Sequence, residues 1–94
     1  MAGPKYFLDS SPDFEKSIKK LKKQDPILIR RLEQQVAKLL RDPILGKPLR
    51  NVLRNCRRVQ IGSFVLIYEV TDSAIRLLDF DHHDRIYKFL IWVL

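Results

Sequence analysis

The sequence holds one cysteine, one tryptophan, one methionine and three glycines in 94 residues. A lone thiol, Cys56, excludes an internal disulfide and a cysteine-rich zinc site, and it fits a reducing cytoplasm. Three scattered glycines leave no phosphate-cradling loop, so neither a Walker motif nor a dinucleotide-binding turn is present. The longest apolar run, Phe89–Leu94, is far short of the about 20 residues a membrane-spanning helix takes. Met1–Tyr6 lacks the apolar stretch of a secretory leader, so a cytoplasmic protein with no membrane partner is expected. Acidic residues are missing altogether between Asp42 and Glu69.

What is present is the make-up of one small basic domain over residues 1–94: 46% hydrophobic, 31% charged and a net charge of +7. That apolar fraction excludes a disordered basic tail, which could not offset its chain entropy by burial. The acid-free stretch carries Lys47, Arg50, Arg54, Arg57 and Arg58, which account for most of the net charge. Arginine suits bidentate phosphate contact, so this stretch points to a polyanion or an acidic protein partner. The earlier lysines, Lys16, Lys19, Lys20, Lys22 and Lys23, read as the solvated face of a helix.

The periodicity predicts an α+β fold. Lys5–Asp9 reads as a first or edge strand. Ser10-Ser11-Pro12-Asp13 has the serine cap, early proline and acid of a helix start. Phe14, Ile18 and Leu21 then line one face. Asp25-Pro26 starts a second helix with Ile29, Leu32, Val36, Leu39 and Leu40 on its apolar side, and Asp42-Pro43 closes it. The two helices form an antiparallel hairpin. Arg57–Ile61, Phe64–Val70 and Ala74–Phe80 follow as strands joined by short turns, a three-stranded antiparallel meander.

Strand alternation puts Arg58 and Gln60 on one face and Val59 and Ile61 on the other. The motif His82-His83-Asp84-Arg85, with Tyr87 and Lys88, gathers imidazole, cation and aromatic groups at the end of the last strand. An arginine to hold phosphate, an imidazole to move a proton and a tyrosine to stack on a base suffice for metal-independent RNA cleavage. The same groups can instead pair with Asp79, Asp81 or Glu69. His82 and His83, as neighbours on a strand, are expected to point to opposite faces, so no metal is expected there and no cofactor is implied.

The segments Asp42-Pro43, Gly46-Lys47-Pro48-Leu49, Arg57 through Val70 and His82 through Lys88 resemble the RelE/ParE toxin superfamily, with the likeness running from about Tyr6 to Lys88. The resemblance implies the fold just read, akin to small microbial ribonucleases, in a toxin of a type II toxin–antitoxin pair. RelE-like members cut messenger RNA on the ribosome; ParE-like members poison DNA gyrase. It implies a catalytic role for Arg58 and for Tyr87, with His83 and Arg85 as catalytic candidates that stand in for missing groups, while the charge pattern makes Lys47, Arg50, Arg54, Arg57, His82 and Lys88 the candidates for RNA contact. Implied partners are a small acidic RelB-like antitoxin, in assemblies up to a heterotetramer, together with the ribosome and mRNA. Three positions depart from the RelE pattern, one of them His83, which replaces a common arginine. Val65 stands where a catalytic arginine is usual, and Gln60 where a second base is usual. Those departures leave a gyrase inhibitor, or a weakened toxin that keeps only antitoxin binding, as the alternatives to a metal-independent endoribonuclease. The Phe89–Leu94 run is expected either to pack in the core or to meet the antitoxin.

Overall fold

The structure, a computed structural model, describes residues 6–49 and 55–86. Two helices start where the sequence places them. Helix α1, Pro12–Gln24, is capped by Ser11, whose side-chain oxygen accepts the Phe14 N–H at 3.1 Å. Helix α2, Pro26–Arg41, is capped by Asp25, which accepts the Leu28 N–H at 3.1 Å. Asp25 also ends α1, its own N–H bonding the Leu21 carbonyl at 2.8 Å, so one residue serves as the whole joint of the hairpin. Prolines in both first turns and lysine or arginine in both last turns match the helix dipole. No helix among the described residues is long and apolar enough to cross a membrane.

The sheet has five strands: β1 Phe7–Ser10, β2 Lys47–Pro48, β3 Cys56–Ile61, β4 Phe64–Val70 and β5 Ala74–His82. Their spatial order is β1-β5-β4-β3-β2, with β1 parallel to β5 and the other pairs antiparallel. The expected meander is there, as β3, β4 and β5. The first strand begins two residues later than predicted and ends one later. A short 3-10 turn, Pro43–Leu45, and the two-residue strand β2 were not predicted. Gly62 makes the β3–β4 turn at φ 63°, a conformation that favours glycine.

The helices cover one face of the sheet. Phe14, Leu21, Leu28, Ile29, Leu32 and Leu39 pack onto Ile61, Leu66, Tyr68, Ile75, Leu77 and Phe80. A second, smaller cluster lies apart from it: Val65, Ile67 and Ile86, flanked by Leu49 and Leu78. Alternation along β4 explains the split, since Leu66 and Tyr68 point to the helices while Val65 and Ile67 point away. A bulge in β5 completes it. Ile67 pairs with Asp79 and Tyr68 with Leu77, so Leu78 is the extra residue and joins the second cluster.

The bulge leaves Asp79 half-buried against α1, where Ser17 Oγ donates to it at 3.4 Å. Burial pushes its carboxyl up from the usual range; the Phe80 N–H and Ser17 oppose this, while Asp81 and Asp13 add to it. A carboxyl raised on folding contributes stability that is complete below its unfolded pKa, about 4, and lost as pH rises through the folded value. Asp79→Asn is therefore expected to melt a few degrees above the wild type at pH 7. Thermal melts from pH 7 down to about 4 should show that advantage shrinking as the wild-type carboxyl protonates. An equal gap at every pH would assign the effect to something other than this charge.

Candidate functional site

The sheet face away from the helices carries the first pair of candidates. Lys47 and Arg58 are register partners across β2 and β3, so two cationic side chains rise side by side from the same face. Gln60 follows on that face two residues along. Arg57, next to Arg58 in sequence, turns to the opposite face. Its Nη1 donates to the Gly46 carbonyl at 2.6 Å and the Ile44 carbonyl at 3.3 Å. Its guanidinium thus holds the turn before β2, and it does not stand beside Lys47 and Arg58.

That turn is fastened a second time. The buried Tyr68 hydroxyl accepts the Gly46 N–H at 2.9 Å and donates to the Pro43 carbonyl at 2.8 Å. Burial is the main cause of a raised Tyr68 pKa, which keeps this hydroxyl protonated and able to donate. Gly46 has no room for a side chain: an added Cβ would lie 2.6 Å from Tyr68 Oη and 2.8 Å from the Arg58 carbonyl. Gly46→Ala is expected to cost about 2 kcal/mol through overpacking, a fall of roughly 10 °C in melting temperature for a domain this size. A variant melting within 2 °C of the wild type, on a scale where each kcal/mol moves a small domain by roughly 4–8 °C, would show that the turn yields freely.

The second group lies at the end of β5. The strand ends at His82 and residues 83–86 form a helical turn, so the chain changes direction between the two histidines. The expectation that they face opposite ways fails for this reason, because strand alternation stops at His82. Their rings lie 4.4 Å apart between centroids at 30°. Phe64, opposite His82 in the β4–β5 register, meets the His82 ring edge-on at 5.8 Å. Asp84 approaches both imidazoles: His83 Nδ1 is 3.0 Å from Oδ1 and His82 Nδ1 is 3.7 Å from Oδ2. Arg85 Nε donates to Asp81 Oδ1 at 3.0 Å, the acidic pairing weighed from the sequence. Tyr87, Lys88, Arg50, Arg54 and the Phe89–Leu94 run lie outside the described residues.

Arg58 pairs with Ile67 and His82 with Phe64, three residues further along β4. Three residues along and two strands across separate the Arg58 and His82 backbones by roughly 14 Å. Val65, which stands where the resemblance has an arginine, is 0% exposed in the second apolar cluster. Ile86, on the turn after the histidines, is 1% exposed in the same cluster. Cys56 is buried, and burial first, then the Glu69 charge, pushes its thiol up, so it is a poor nucleophile at neutral pH.

Two cations missed as site residues join this end of the sheet. Lys16 and Lys20, one helical turn apart on α1, line a groove of about 330 Å³ with Phe64, Phe80, Asp81 and Arg85. Their i, i+4 spacing was visible in the sequence, but only the α1–β5 packing shows which lysines of the run turn this way.

Residues 8–87 match the family of ParE toxins of type II toxin–antitoxin systems. A candidate toxin, RelE4, of Methanocaldococcus jannaschii is 34% identical over 86 residues, covering 88% of this chain and 92% of that protein. Among solved structures, the RelBE2 toxin–antitoxin complex of Mycobacterium tuberculosis includes a chain 28% identical at a TM-score of 0.67, with 82% of this chain and 96% of that one covered. A chain of the E. coli DinJ–YafQ toxin–antitoxin complex shares the fold at a TM-score of 0.74 and 18% identity, over 88% of this chain and 98% of that one. The chain belongs to the RelE/ParE superfamily of toxins.

Proposed function

We propose that this toxin is a RelE-like endoribonuclease that cuts ribosome-bound messenger RNA in the cytoplasm and is held in check by a small acidic antitoxin. The observation that carries the reading is the pairing of Lys47 with Arg58 on the sheet face the helices leave uncovered. Two adjacent cations suit a phosphodiester, whose charge grows as a neighbouring 2′-hydroxyl attacks it and the 5′-oxygen departs. Arg58 is the group placed against the scissile phosphate, with Lys47 drawing in the flanking backbone. His83 stands at the strand end as the polar contact to the substrate. An acidic antitoxin fits the same basic face, which explains how inhibitor and RNA would exclude one another. The RelBE2 and DinJ–YafQ relatives, both solved as toxin–antitoxin complexes, support that partner.

A second reading, a gyrase inhibitor that performs no chemistry, draws on one observation: Val65 is buried among apolar side chains where the RelE pattern has a cation. One experiment separates the two. Purified chain is added to translating ribosomes, and to a gyrase supercoiling reaction, each in its magnesium buffer. Cleaved messenger with 2′,3′-cyclic phosphate ends, and unimpaired supercoiling, is the expected result. Intact messenger with blocked supercoiling would select the gyrase reading instead.

A further inference from the structure

The strand-to-turn switch at His82–His83 has a use that RNA cleavage does not require. We propose that His82, His83 and Asp84 form a binding site for a divalent transition-metal ion of the copper, nickel and zinc class. One ligand atom from each of the three residues lies within 4.8 Å of the others, and theirs is the one such group of three among the described residues. Two imidazole nitrogens and a carboxylate oxygen are a borderline-soft set that favours these ions over magnesium or calcium, which take oxygen ligands.

The geometry is partly prepared. Phe64 braces the His82 ring edge-on, and the His83 ring, tilted by 30°, places the second imidazole beside it. Asp84 already bridges toward both Nδ1 atoms, at 3.0 and 3.7 Å. Metal–ligand distances of about 2.0–2.2 Å are reached by small rotations of these partly exposed side chains. Binding through His82 Nδ1 displaces the 3.3 Å hydrogen bond that this atom accepts from the Asp84 N–H, a long and weak one. The neighbouring cation does not compete for the carboxylate, because the Arg85 Nε contact is to Asp81.

The sequence makes the test unusually direct, since it contains two histidines in all. Any imidazole coupling seen on a bound ion must come from His82 or His83. Untagged full-length chain titrated with one equivalent of Cu²⁺ is expected to show electron-spin-echo modulation from two imidazoles. His82→Ala and His83→Ala should each reduce this to one and weaken Zn²⁺ binding, read by calorimetry, about tenfold or more. Asp84→Asn should keep both imidazoles while weakening binding, and Mg²⁺ should give no heat. Melting curves without metal check that each variant is folded. Wild-type copper spectra without imidazole coupling, or with one imidazole only, overturn the proposal, as does unchanged zinc affinity in the double histidine variant. None of these readouts uses RNA, so the metal site and the nuclease reading stand or fall separately.

Discussion

Val65→Arg is expected to destabilise the fold by about 2–4 kcal/mol and to bring no gain in cleavage rate over the wild type. The substitution puts the superfamily's usual arginine back at its position, so a reader of the sequence alone would expect a gain. The packing argues the opposite. Val65 is 0% exposed, Ile86 lies over the same patch at 1%, and Leu49 and Leu78 close its flanks. An arginine there must displace Ile86 or bury its own charge. Asp81, opposite position 65 across β4 and β5, is the acid in register, and it already accepts from Arg85. Val65→Met, which adds volume without charge, should cost less, about 1–3 kcal/mol. Thermal melts of the two variants separate the charge effect from the size effect. A Val65→Arg chain that melts like the wild type yet cuts messenger faster would show that Ile86 swings aside.

Arg58→Ala should lower messenger cleavage by about 10²–10³, the usual effect of removing one fixed group that meets transition-state charge. No core side chain is lost, so the loss of rate should far exceed what any change in melting temperature accounts for. Arg57→Ala should behave in the reverse sense. Two carbonyls of the 44–46 turn lose their donor, so stability falls first and any loss of activity follows from a displaced Lys47. Arg58→Lys keeps a charge without the planar fork and should retain part of the rate. Single-turnover cleavage measured beside a melt for each variant tells these apart. If Arg57→Ala and Arg58→Ala lost activity and stability in the same proportion, the division of labour between neighbouring arginines would be wrong.

The parts of this fold that follow local rules were legible from the residues. Ser11-Pro12 and Asp25-Pro26 announced both helix starts, and alternation correctly turned Arg58 away from Val59 and Ile61. Strand β2 was not legible: two residues, one of them proline, carry no periodic signal, and only the register with Arg57 and Arg58 defines them. Arg57 looked like its neighbour because nothing local shows that a tyrosine eleven positions on will bring the 43–46 turn beneath it. The histidine pair failed for a different reason. Alternation was carried one residue beyond the end of the strand, where the chain had already turned.

The edge pairing of β1 with β5 also bears on when the protein can become harmful. Phe7 sits against Ala74 and Ser10 against Leu77, so the first strand finds its place only beside the last. A ribosome making this chain releases residues in order, and contacts of such long sequence separation close late in folding. Until β5 has been made, the nascent toxin lacks both a closed sheet and the strand end that carries His82. The sheet is therefore completed only after β5 has left the ribosome, so this domain closes late in its own synthesis.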